Sequence, residues 1–180
     1  MALEQKKQPG REAYEWVQIL VCSVLAVVLV FTFAVRGFRV DGPSMRETLQ
    51  DGDMLLVLND GLCGDYQPGD IVILRKASFR DGKPIVKRVI ATEGQTVKID
   101  YDLNEVSVED VTLEEPYLNF EEGDPMLPRD ERSVVSDTVP EGCVFVMGDN
   151  RNHSADSRSE KYGMIDKSRI VGRVVLPVLS

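Results

Sequence analysis

The sequence predicts a mainly β protein: an antiparallel core carrying a small β insert, preceded by one transmembrane helix. Three observations lead there. An uncharged apolar run lies near the amino terminus, short β-branched runs fill the remainder, and Gly, Pro and Asp clusters separate them. A length of 180 residues is that of one domain with at most a small insert.

The run Trp16–Val35 holds 20 residues without a charge, between Glu15 and Arg36. As a helix it would reach roughly 30 Å, the thickness of a bilayer's hydrocarbon core. Thirteen of its residues are Val, Ile, Leu or Phe, and together they favour insertion by roughly 5 kcal/mol. A buried core helix would carry a polar stripe, and none is visible. A cleavable signal peptide has a shorter apolar stretch, about 7 to 15 residues, although Thr32-Phe33-Ala34 is a passable small-x-small cut site. The run therefore reads as a retained anchor. Lys6, Lys7 and Arg11 precede it and Arg36 and Arg39 follow it. By the positive-inside rule, residues 1–15 form a cytoplasmic tail and the rest lies on the extracytoplasmic side.

Beyond the anchor, strands are predicted at Met54–Leu58, Ile71–Leu74, Ile85–Ala91, Thr96–Ile99, Val144–Met147 and Ile170–Leu176. Turn signals such as Asp51-Gly52-Asp53, Pro68-Gly69-Asp70, Asp81-Gly82-Lys83 and Pro140-Glu141-Gly142 bound them. Met45–Leu49 reads as a single turn. The core is thus 36–99 with 140–180, and 100–139 is an acidic insert or flap. Within it, Val106-Ser107-Val108 and Val111-Thr112-Leu113 flank Glu109-Asp110 as a hairpin. Glu105 to Glu131 contains ten acidic residues and one basic one, Arg129, which reads as a solvated surface. The formal charge of −9 argues against nucleic acid as a partner, since that role needs a basic face. Cys22 falls in the anchor, and Cys63 and Cys143 are expected as free thiols, two cysteines making no disulfide framework.

Catalytic chemistry is constrained by scarcity. His153 is the one histidine, so no metal set of Cys and His is predicted and a base other than histidine has to be considered. Alternation along Ile85–Ile90 puts Lys87 with Ile85 and Val89, and Arg88 with Val86 and Ile90. On a buried face the ammonium form of Lys87 is disfavoured, which would make it a general base. A lysine whose head reaches solvent is the plainer reading of that strand alone. Ser44 follows the Gly42-Pro43 turn, which would present a hydroxyl beside free backbone N–H groups, though serine there is ordinarily a turn or cap residue. Gly148 to Arg158 forms a dense polar run directly after the apolar strand Cys143–Met147. It suits either a solvated loop or a hydrogen-bonded scaffold.

Taken together these segments resemble the bacterial type I signal peptidases. The family order of anchor, Ser-Met-x-Pro-Thr-Leu, a Gly-Asp strand, a Lys-Arg-Val strand and Gly-Asp-Asn-Arg-x-x-Ser-x-Asp-Ser-Arg is matched by Ser44–Leu49, Gly69–Leu74, Lys87–Ile90 and Gly148–Arg158. Glu114-Glu115-Pro116-Tyr117 and Val139–Met147 are similar to its connecting region. The resemblance implies a signal-peptidase-type antiparallel β fold, with Ser44 as nucleophile and Lys87 as general base. It implies an oxyanion hole at the Ser44 N–H, with Gly42 where some members add a serine hydroxyl, and Met45 beside the substrate pocket. Ser154 matches the residue that orients the lysine, and Asp149, Arg151, Asp156 and Arg158 match supporting positions, the last two as a pair. His153 falls at a variable position. Substrates would be signal-peptide-bearing preproteins with small residues one and three positions before the cut, met at the lipid bilayer of the plasma membrane. No metal, cofactor or obligate protein partner is implied. Two departures stand out: Glu47 replaces the family proline, and Ala91-Thr92-Glu93-Gly94 replaces Gly-x-Pro-Gly.

Three rivals use the same residues differently. A self-cleaving repressor shares the dyad but would begin with a DNA-binding domain instead of an anchor. A sortase-like transpeptidase would use Cys143 and His153. A non-catalytic membrane-tethered binding protein would keep the fold without turnover.

Overall fold

The computed structural model describes residues 10–75, 82–118, 125–131 and 133–178. Lys6 and Lys7, Asp81 of one predicted turn, and part of the acidic insert lie outside the described residues.

Helix α1 spans Arg11–Leu29 and continues as a wider π-type turn over Val30–Ala34. None of its residues is buried against the rest of the protein. Arg11–Ala34, which contains an 18-residue window of mean hydropathy 2.7, is long and apolar enough to cross a membrane. The Phe33 carbonyl beside the π-turn accepts from Asn59 Nδ2 at 3.2 Å, giving a partner to a carbonyl at the irregular helix end. The next residue, Val35, opens a strand. The predicted span therefore ends one residue late, and β1 (Val35–Arg39) was not anticipated because its first residue reads as membrane.

The remaining strands are β2 (Met54–Asn59), β3 (Ile71–Leu74), β4 (Ile85–Thr92), β5 (Thr96–Asp100), β6 (Glu105–Val108), β7 (Val111–Thr112), β8 (Ser136–Thr138), β9 (Cys143–Met147), β10 (Ile165–Asp166) and β11 (Ile170–Val178). They form two antiparallel sheets. The larger has the order β1-β2-β11-β3-β4-β9-β10, the smaller β7-β6-β5-β8. Glu109 and Asp110 both take positive φ, 52° and 62°, the conformation that a two-residue hairpin between β6 and β7 demands. β5 pairs with β6 and β8 in the small sheet, and it ends at Asp100, where the sequence places the start of the insert.

β4 is the strand on which the apolar packing turns. Its Ile85 and Val89 join Val72, Val144 and Val146 in one cluster, Ile90 and Ala91 pack with Val97 and Phe145 in a second, and Val86 enters a third with Met45 and Leu55. The strand can serve all three because its register with β9 slips between Val89 and Ala91; such a bulge bends and twists a strand. Both faces are thereby covered. Residues of both parities in Ile85–Ala91 are buried, with Arg88 alone half-buried.

β11 crosses between β2 and β3, and Gly172 sits where the backbones approach closest. A Cβ there would lie 2.0 Å from the Leu58 carbonyl oxygen and 2.8 Å from Val57 Cγ1. Gly172→Ala is expected to cost about 3 kcal/mol through this overlap and to lower Tm by about 6–12 °C, as measured by circular dichroism on the detergent-solubilised chain. An unchanged Tm would contradict the close approach.

Candidate active site

Lys87 stands at the third position of β4, facing Val72 across the β3 ladder, and is 2% exposed. Its Nζ donates to Ser44 Oγ at 2.6 Å and to the Val86 carbonyl at 2.9 Å. Arg88, its neighbour, points the other way, as alternation requires. Its guanidinium grips Asp149 with two bonds, Nε to Oδ1 at 2.9 Å and Nη2 to Oδ2 at 2.7 Å. Burial works against the Arg88 charge, but the Asp149 bonds outweigh it and raise its pKa above the ordinary arginine value.

Ser44 is presented by a turn fixed from both ends. Gly42 has a φ of 103°, in the region that favours glycine, and its N–H donates to Asp51 Oδ1 at 2.8 Å. Immediately after Ser44, Met45 and Leu49 are buried with Val40, Leu55 and Ile73. Among the described residues, nothing accepts from the Ser44 N–H. Glu47 holds a φ of 82°. Proline, locked near −65°, could not occupy that conformation, so the turn takes a course that the family proline would forbid. A non-glycine residue there stores about 1–2 kcal/mol of strain.

The Gly148–Arg158 segment is buried along most of its length and braces this turn. Asn150 N–H donates to the Ser44 carbonyl at 3.1 Å, and Asn150 Nδ2 to the Pro43 carbonyl at 3.0 Å. Thr48 Oγ1 donates to Asp149 Oδ2 at 2.5 Å. Gly148 allows the contact: a Cβ on it would lie 2.4 Å from the Ser44 carbonyl and 2.3 Å from Ser154 Oγ. Asp156 and Arg158 form a fully buried pair, Nε to Oδ1 at 2.8 Å and Nη2 to Oδ2 at 2.9 Å. Burial pushes the Asp156 carboxyl up, yet Arg158 and the Gly148 N–H outweigh it, and its pKa lies below the ordinary carboxylate value. Ser154, matched above to a lysine-orienting serine, is buried beside Gly148 and makes no hydrogen bond of ordinary geometry. It lies near enough to Asp156 to favour that charge.

Two residues of the insert reach the same place. Arg151 Nη1 and Nη2 donate to Glu115 Oε2 and Oε1 at 2.9 and 2.5 Å. The Tyr117 ring lies 3.9 Å from the Arg88 guanidinium carbon, and its hydroxyl donates to Glu115 Oε1 at 2.6 Å. Sequence reading reached Glu115 and Tyr117 only as part of a connecting region. Nothing in the spacing identifies their partners, since Arg151 lies 36 residues beyond Glu115.

A family model described as signal peptidase, peptidase S26, matches residues 13–179. The chain belongs to the signal peptidase S26 family. A signal peptidase I of Bacillus licheniformis is 35% identical over 177 residues, covering 96% of this chain and 91% of that protein. A signal peptidase IB of Staphylococcus aureus is 32% identical, covering 91% and 88%. The crystal structure of a signal peptidase I from Enterococcus faecalis superposes with a TM-score of 0.50 at 30% identity, over 62% of this chain and 97% of the other. Signal peptidase I activity, with signal-peptide-bearing substrates, follows from this membership.

The S26 residues open onto a cleft of about 200 Å³. Val40–Met45, Ile85–Lys87, His153, Ala155 and Tyr162 line it. Among the described residues no cluster of His, Cys, Asp or Glu is arranged to hold a metal ion. Of the sortase-like pair, His153 lines this cleft, whereas Cys143 packs against a separate apolar cluster with Phe145 and Met147.

Asp156→Asn would leave Arg158 buried without its counter-charge, at a cost of about 3–5 kcal/mol. The depressed carboxyl stabilises the fold fully above the ordinary aspartate value of about 4, and that contribution disappears as pH falls through its lower folded value. Denaturant unfolding should therefore separate wild type from Asp156→Asn at pH 7 and bring them together in strong acid. A gap that is absent at pH 7, or constant into strong acid, would contradict the pair's role.

Proposed function

We propose that this signal peptidase is a membrane-anchored serine endopeptidase that removes amino-terminal signal peptides by acyl transfer through a Ser44–Lys87 dyad. The observation carrying the reading is the 2.6 Å separation of Lys87 Nζ and Ser44 Oγ, two groups 43 residues apart in sequence. That distance is within reach for proton transfer.

Burial disfavours the ammonium form of Lys87, leaving an amine able to accept the Ser44 proton. Ser44 Oγ then attacks the carbonyl carbon before the cut, and the proton passes to Nζ. The resulting oxyanion is held by the Ser44 N–H, an interaction that strengthens as charge develops. Collapse breaks the C–N bond, the mature protein's new amine takes the proton from Lys87, and the signal peptide stays as an ester on Ser44. Water, giving a proton to Lys87, attacks that ester. Ser44 recovers its proton, and the signal peptide leaves as a carboxylic acid that ionises. Serine, lysine and water complete the cycle without a metal or organic cofactor.

An extended peptide laid beside Val40–Gly42 and Ile85–Val86 would alternate its side chains into and out of the cleft. The cleft's small volume supports small residues one and three positions before the cut. Residues 1–15 would face the cytoplasm and the sheets the extracytoplasmic side, with the anchor in the plasma membrane and preproteins meeting the cleft at the lipid surface. The domain division carries over with β5 grouped with the insert.

Purified enzyme with a preprotein tests the dyad. Ser44→Ala and Lys87→Ala should each cut at least about 10³-fold more slowly, and wild-type activity should fall on acidification as the amine takes up a proton. Mutants as fast as wild type would remove the dyad, and an inactive wild type would leave a binding protein that keeps the fold.

A further inference from the structure

Five side chains form a closed ring around the loop that braces the Ser44 turn. Asp149 binds Arg88, Arg88 lies against the Tyr117 ring, Tyr117 donates to Glu115, and Glu115 binds Arg151. Asp149 and Arg151 are two residues apart, so the loop's own backbone completes the circuit. The residue enclosed is Asn150, whose backbone and side chain hold the Ser44 and Pro43 carbonyls. Arg151 and Glu115 are both nearly excluded from water, with side chains 1% and 6% exposed. Such a pair is geometrically exacting, because neither charge can turn to solvent instead. The rigid flat ring of Tyr117 lies against the Arg88 guanidinium, and its hydroxyl donates to the Glu115 carboxylate at the same time.

We infer that Glu115 and Tyr117 are positioning residues for catalysis: through Arg151 and Arg88 they fix Asn150 against the Pro43–Ser44 turn and so set the approach of Ser44 Oγ to Lys87. The insert then belongs to the catalytic apparatus instead of being a flap beside it. Chemistry depends steeply on this placement, since a misplacement of about 1 Å can cost about 100-fold in rate. Substrate binding along the cleft edges would be much less sensitive. The signature is a fall in kcat with little change in KM.

The inference rests on Ser44 being the attacking group, and the experiment separates the two. Full-length enzyme in detergent cuts a preprotein bearing Ala-x-Ala before the cut, with kcat, KM and Tm measured for each variant. Glu115→Gln keeps shape while losing the charge pair; Tyr117→Leu removes the ring; Asn150→Ala removes the clip on Pro43. Each should lower kcat by about 10- to 100-fold, with KM within about twofold and the chain folded at the assay temperature. Asn150→Ala combined with Glu115→Gln should cost much less than the product of the two, as for residues acting through one element. Wild-type kcat in folded Glu115→Gln, or fully multiplicative losses in the double variant, would overturn the inference. Glu115→Gln decides alone should Tyr117→Leu fail to fold. Ser44→Ala runs beside them. If it cuts normally, the nucleophile assignment falls; if it is inactive while the ring variants turn over normally, only the ring falls.

Discussion

The hydrogen bond between a buried lysine and a turn serine is the interaction around which this protein is arranged. Removing an ammonium from water costs several kcal/mol, more than an ordinary hydrogen bond of about 1 kcal/mol returns. Holding Lys87 at 2% exposure therefore needs a strand covered on both faces. β4 is such a strand, packed between β3 and β9 with a bulge that turns its far half toward a second apolar cluster. On the proposed mechanism, the burial that stabilises the sheet is also what disfavours the charged form of the amine.

The serine side of the contact is built from opposite materials. Met45 and Leu49 sink the turn into the third apolar cluster, while Asn150 and Thr48 tie it to the polar loop. That loop is itself buried, so its charges have to be paired. Asp156 with Arg158, Arg88 with Asp149 and Glu115 with Arg151 meet the need. These pairs add little net stability beyond an apolar core of the same shape. Their value is in geometry, because each admits few alternative arrangements. The apolar helix joins this assembly without a linker: α1 passes through its π-turn straight into β1, and β1 pairs with β2 along its whole length. Ser44 follows nine residues after Val35, which ties the cleft closely to the end of the apolar helix.

Much of this was readable in the chain because local patterns carried it. Runs such as Ile71–Leu74 and Ile85–Thr92 are rich in β-branched residues and bounded by turn signals, and they fold as strands. Alternation sent Lys87 and Arg88 to opposite faces. Other elements had no local signature. Ser136–Thr138 and Ile165–Asp166 are strands only because β5 and β9 offer them a partner. β1 was hidden because Val35 is as apolar as the helix before it. Asp156 and Arg158 stand two positions apart and can be read as neighbours, whereas Arg88 meets Asp149 across 61 residues. The stacking of Tyr117 on Arg88 needs both sheets in place. Glu47, with its positive φ, marks the limit of carrying a family pattern over: the sequence announced a substitution but not the backbone conformation.

The charge state of one amine tests the account most directly. With lysine labelled by ¹⁵N at Nζ in the detergent-solubilised enzyme, and Lys87→Arg used to assign its signal, NMR reads that state across pH. The account predicts a neutral Lys87 amine at pH 7 while the surface lysines remain ammonium. A Lys87 that stays charged until pH rises to about 10, as a solvated lysine does, would contradict it.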